Sequence, residues 1–154
     1  MRALLSIDYT NDFVATDGKL TTGEAGQAIE QELVSVTKDY FDQGDFIVFA
    51  IDGHDPSDQY HPENQLFPPH NVIGTNGRDL YGSLADFYQA NKTKKNVYWI
   101  DKRHYSVFSG TDLDIRLRER GITELCLTGV CTDICVLHTA VDAYTVSYTH
   151  LTLP

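Results

Sequence analysis

Short apolar runs alternate along the chain with stretches of helical period. Residues 3–7 (Ala-Leu-Leu-Ser-Ile) form the first run. Residues 46–51 (Phe-Ile-Val-Phe-Ala-Ile) form the second and leave no polar position to face water, as expected of a strand covered on both faces. Residues 97–100 and 125–128 supply two more strands. Between them, residues 24–43 place Ile29, Leu33, Val36 and Tyr40 on one helical face and stop at Gly44. Residues 84–89 predict a short helix. Thr111-Asp112-Leu113-Asp114 opens a further helix that ends before Gly121, and residues 133–144 predict the helix after the fourth strand. This βαβα order predicts an α/β fold with a doubly wound parallel sheet.

Polar residues recur where the strands end. Asp8 follows Ile7, Asp52 follows Ile51, and Asp101-Lys102 follows Ile100. After the fourth strand comes Thr128-Gly129-Val130-Cys131-Thr132-Asp133-Ile134-Cys135, a turn leading into a helix with Thr132 or Asp133 as N-cap. All four sites fall on the carboxyl edge of the sheet, where open α/β folds bind ligands. With Thr132 as the cap, Cys135 becomes the third helical residue, where free N–H groups and the helix dipole favour a thiolate. Cys135 then reads either as a nucleophile or as a buried, inert thiol. Asp8 and Lys102 favour the first reading, because a carboxylate can take the thiol proton and an ammonium favours the anion. His138, three residues on, offers an alternative thiol–imidazole pair but lies deeper along the helix. Cys126 and Cys131 read as core and backbone positions.

Residues 52–82 show no helical period and are too long for a mere connector. Of six histidines in the chain, His54, His61 and His70 lie in this segment beside Asp52 and Glu63. Imidazole and carboxylate together suit zinc, manganese or iron(II). His61 reads either as a ligand or as a neighbour of Glu63. Phe13, Phe67 and Tyr105 each lie a few residues from a candidate functional group, as pocket walls for a flat ring or as core.

Composition narrows the partners. A net charge of −10 over 154 residues argues against nucleic acid or an anionic membrane surface. No apolar run approaches the roughly 20 residues of a membrane span. Three cysteines do not suggest a disulfide framework, so a reducing, cytoplasmic setting is expected.

Five segments in register resemble the nicotinamidase family, within the isochorismatase-like cysteine hydrolases. They are Asp8-Tyr9-Thr10-Asn11-Asp12-Phe13, Asp52-Gly53-His54, Phe67-Pro68-Pro69-His70, Asp101-Lys102-Arg103-His104-Tyr105, and Thr128 to Cys135. The resemblance implies Cys135 as nucleophile, Asp8 as general base and acid, and Lys102 as the charge that tunes both. It implies a cis Val130–Cys131 peptide, with the N–H groups of Cys131 and Cys135 as oxyanion hole. One divalent metal, most simply zinc, would be held by Asp52, His54, Glu63 and His70. Phe13, Phe67 and Tyr105 would surround a pyridine ring. The implied reaction is hydrolysis of nicotinamide to nicotinate and ammonia through a thioester, in NAD salvage, by a protein that can form homo-oligomers.

The resemblance covers residues 1–144. The tail, 145–154, does not look like the family's next strand, so the last strands and helix are expected to be missing or replaced, with the fourth strand an exposed edge. A related hydrolase acting on another small substrate, and an inactive metal-binding module, are the competing expectations.

Overall fold

The computed structural model describes residues 1–148 and the backbone of residues 150–152. Its centre is β1 (Arg2–Ile7), which pairs in parallel with β2 (Phe46–Asp52) on one side and β4 (Glu124–Gly129) on the other. β3 (Val97–Lys102) adds beyond β2 and β5 (His150–Thr152) beyond β4, giving the order β3-β2-β1-β4-β5, with every pairing parallel. The chain therefore builds outward from β1 through β2 and β3, then crosses back to lay down β4. That reversal creates a switch point, where the connections that follow β1 and β4 turn to opposite faces of the sheet and leave a crevice.

Alternation along the strands sorts the core into two layers. Ala3, Leu5 and Ile7 join Val48, Ala50, Leu125 and Leu127 on one face, covered by α5 (Leu113–Glu119) and α6 (Leu137–Thr145). Leu4, Ile47, Phe49, Ile51 and Cys126 face the other way. They pack under α1 (Asn11–Val14), α3 (Glu30–Asp42) and α4 (Gly82–Asn91). Burial of each large aliphatic or aromatic side chain contributes about 1.5–3 kcal/mol.

The long helix expected over 24–43 is two, α2 (Gly23–Ala28) and α3, parted at Ile29. Gly26 lies close under the chain, where its carbonyl accepts the Tyr9 hydroxyl at 2.7 Å, and Ile29 turns outward. The buried stripe of α3 is accordingly Leu33, Val34, Thr37 and Tyr40; Val36 is only partly covered.

β4 is not the bare edge expected from the sequence. β5 (His150–Thr152) pairs with it in parallel, His150 opposite Glu124 and Thr152 opposite Cys126. The segment leading there is anchored by buried Tyr148, whose ring lies 6.0 Å from that of Phe108. Thr149, Leu153 and Pro154 of the tail lie outside the described residues.

Gly129 closes the end of β4 over β1. Its φ is +114°, and a Cβ there would stand 1.9 Å from the Ile7 carbonyl oxygen. The next amide, Val130 N–H, donates to that same oxygen at 3.0 Å. Only glycine permits this approach, which carries the following turn across the end of β1. Gly129→Ala is expected to cost about 3 kcal/mol or more of stability, read by urea unfolding. A cost under about 1 kcal/mol would show that the two strand ends separate without penalty.

Candidate active site

Asp8 is the first residue past β1 and has a left-handed backbone, φ +52°. Its amide still donates to Ala50 O at 3.1 Å, so it remains tied to the sheet. Its Oδ1 accepts the Asp52 N–H at 2.8 Å, and its Oδ2 lies 2.7 Å from Lys102 Nζ. The β2–β3 register sets Lys102 directly opposite Asp52, and the ammonium also bonds Asp52 Oδ1. Lys102 is fully buried, with its remaining contacts to His104 O at 3.2 Å and Cys135 Sγ at 3.6 Å.

These groups shift one another. Burial, then the charge of Asp52, pushes the Asp8 carboxyl up to about 6. Burial would raise Asp52 as well, but Lys102 and then His54 hold it below the usual carboxylate range. Burial opposes the Lys102 charge, yet Asp8 and Asp52 keep its affinity for a proton above normal. The Cys135 thiol is pushed up by burial and then by Asp8.

That last shift departs from the sequence expectation of a dipole-favoured thiolate. Cys131, not Thr132, caps the turn, and Thr132–Val136 form a π-turn whose Val136 N–H reaches back to Cys131 O at 3.2 Å. The wider turn directs Cys135 inward to Asp8 and Lys102, where 5% of the residue is exposed. Loss of water outweighs the dipole there. The Val130–Cys131 peptide that leads into the turn is cis. Thr139 fixes the following helix by donating its hydroxyl to Cys135 O at 2.7 Å and accepting the Val107 N–H at 3.2 Å.

Asp52, His54, Glu63 and His70 converge beside this cluster, all buried, with one ligand-type atom from each within 4.8 Å of the others. His54 is drawn there because its N–H donates to Asn71 O and its carbonyl accepts Ile73 N–H. His70 Nδ1 bonds Pro68 O at 2.9 Å, leaving Nε2 to face Glu63 Oε2 at 3.5 Å. His54 Nε2 is buried without a hydrogen-bond partner among the described residues, 3.9 Å from Asp52 Oδ2. Two imidazoles and two carboxylates, one nitrogen otherwise orphaned, fit a divalent cation of the zinc, manganese or iron(II) type. His61 stands apart, since both its ring nitrogens are engaged.

Phe13, Phe67 and Tyr105 line one cavity of about 200 Å³ with Cys135, Cys131, Asp52, Glu63 and His70. Leu20 and Ile134 complete its wall; neither carried a sequence signal beyond being apolar. His138 does not pair with Cys135: its Nδ1 bonds Ile134 O at 2.7 Å and its ring packs against Tyr105 at 5.3 Å. Two supporting residues escaped sequence reasoning. Asp12 accepts the Asn71 N–H at 2.7 Å and so fixes the residue after His70; its place in the opening Asp8–Phe13 segment was the available signal. Arg78 donates to Asp52 O at 2.6 Å, and nothing in the surrounding pattern marked it.

Fold and site together define a doubly wound α/β protein with thiol, carboxylate and buried ammonium at the switch point of its sheet. The sequence model of the isochorismatase domain matches residues 2–151, and the chain belongs to that family. It is 62% identical over 143 residues to the uncharacterized isochorismatase family protein PncA of Bacillus subtilis (strain 168), covering 93% of this chain and 78% of that one. The crystal structure of a pyrazinamidase/nicotinamidase from Streptococcus mutans UA159 superposes with a TM-score of 0.97 at 62% identity, over 99% of this chain and 84% of that one. A pyrazinamidase of Pyrococcus horikoshii solved in complex with zinc superposes with a TM-score of 0.81 at 27% identity, over 96% and 80%.

Removing the ammonium leaves two buried carboxylates facing each other. Lys102→Met is therefore expected to lose about 3–5 kcal/mol of stability in urea unfolding at neutral pH. A loss under about 1 kcal/mol would mean that the carboxylates do not depend on Lys102.

Proposed function

We propose that this protein is a nicotinamidase, hydrolysing nicotinamide to nicotinate and ammonia in cytoplasmic NAD salvage. The observation that carries the reading is one cavity in which Cys135 meets both an aromatic lining and Asp52, Glu63 and His70, three members of the imidazole–carboxylate quartet. The similarity to a pyrazinamidase/nicotinamidase at 62% identity supports the same substrate class. Phe13, Phe67 and Tyr105 would sandwich the pyridine ring and exclude water.

Asp8 is the base. Because the thiol is neutral in its buried setting, its proton passes to Asp8 as sulfur attacks the carboxamide carbon, and no free thiolate has to persist. Lys102 holds the Asp8 carboxylate in place and offsets the charge that develops on sulfur. The N–H groups of Cys131 and Cys135 would receive the oxyanion. Asp8 returns the proton to nitrogen as the C–N bond breaks, releasing ammonia and leaving a Cys135 thioester. Asp8 then takes a proton from water, the resulting hydroxide adds to the thioester, and the thiol leaves with that proton as nicotinate forms.

Asp52, His54, Glu63 and His70 would hold one divalent cation, with zinc the first choice given the zinc complex of the Pyrococcus horikoshii relative. When bound, it would supply a Lewis-acidic position for the pyridine nitrogen and so fix the ring's orientation.

Cys135→Ala is expected to abolish ammonia release from nicotinamide, and Asp8→Asn to reduce kcat by about 10³-fold or more. Ammonia release at the wild-type rate from either variant would remove that residue from the mechanism. Assayed across several small amides, the wild-type chain is expected to prefer pyridine carboxamides. Stripping metal with a chelator should suppress turnover, and added zinc should restore it; an unaffected rate would rule out the ligand role of the quartet.

A further inference from the structure

We infer that His61 is a positioning residue that locks the imidazole–carboxylate quartet to the strand end bearing Lys102. The inference rests on the functional reading of those groups given above. His61 is buried, and its ring contacts Glu63, Arg103 and His54. Nδ1 accepts the Glu63 N–H at 3.3 Å, which makes His61 the cap of the turn Pro62–Gln65. On the opposite edge Nε2 lies 2.7 Å from the carbonyl oxygen of Arg103, the residue after Lys102. A carbonyl only accepts, so Nε2 carries the proton and Nδ1 supplies the lone pair; the two contacts define one neutral tautomer. The His61 and His54 rings pack in a T-shaped contact, with centroids 4.5 Å apart.

Both nitrogens are thus committed, and His61 has no lone pair left for a cation. Its place is behind the ligands: it holds the backbone of Glu63, walls the ring of His54, and ties both to the end of β3. There Lys102 Nζ bonds the carbonyl of His104, on the far side of Arg103. An acceptor and a donor at opposite edges of one rigid ring are what these two backbone partners require. Partners of this kind behind a ligand set its orientation and are worth roughly 10–100-fold in metal affinity or activity.

Two substitutions separate the two edges. In His61→Asn the side-chain oxygen sits near the Nδ1 position and keeps the cap, while the Arg103 contact is lost. In His61→Gln the amide nitrogen reaches toward Arg103, while the cap is lost. Zinc affinity is measured on the metal-stripped full chain by competition with a chromogenic chelator, and kcat and KM for nicotinamide at saturating zinc. His61→Gln is expected to weaken zinc binding about tenfold or more with kcat changed by less than about twofold. His61→Asn is expected to bind zinc within about twofold of wild type but to lose about tenfold in kcat, with little change in KM. If both variants move both readouts alike, whether by loss of zinc, by unfolding or not at all, His61 is a ligand or a packing residue and the inference fails. A wild-type chain that binds no zinc and releases no ammonia overturns the functional reading itself, and this inference with it.

Discussion

The Lys102 ammonium, fully buried between the carboxylates of Asp8 and Asp52, is the contact on which the site depends. An ammonium that deep is tolerable only with its charge opposed and its donors satisfied, and the two carboxylates are tolerable together only because it lies between them. The three come from the ends of three adjacent strands, β1, β2 and β3. The parallel register that sets Asp52 opposite Lys102, and the tie from Asp8 N–H to Ala50 O, are therefore what bring the opposing charges together. Asp52 turns one oxygen to Lys102 and the other toward His54, so the same ammonium orients a member of the metal-type quartet.

A second constraint acts from the other side of the switch point. The chain must leave β4 close enough to β1 to lay Cys135 over Asp8, and Gly129 allows that approach. The π-turn that follows aims the thiol into the buried charges rather than along a helix dipole. Burial and the Asp8 charge then keep the resting thiol protonated. In the proposed chemistry a neutral thiol with its base in place is protected until a carboxamide fills the cavity, because sulfur loses its proton only as it bonds to carbon.

Much of the fold was legible because its signals are local. Apolar runs covered on both faces mark β1 to β4 without ambiguity, and polar residues just past them identified the functional edge of the sheet. The helix over 24–43 misled because its period continues through Ile29, whereas the break there is set by Tyr9 holding Gly26 from another element. β5 escaped for a related reason: a three-residue strand has too little pattern of its own and exists by pairing with β4.

The sequence by itself determined which chemical groups are present and which edge of the sheet they occupy, since residue type and strand period are properties of neighbours along the chain. Asp8, Lys102 and Cys135 were readable in that sense, whereas His61 stayed open beside Asp52, His54, Glu63 and His70, and Phe13, Phe67 and Tyr105 stayed open between pocket and core. Tertiary structure decided their charge states and their division of labour. Whether Cys135 is thiol or thiolate depends on water excluded by distant segments. Whether His61 is a ligand or a brace depends on a carbonyl 42 residues away and an amide two residues on, which together use both its nitrogens. Protonation and lone-pair availability are set by surroundings in space, and only the folded chain supplies those.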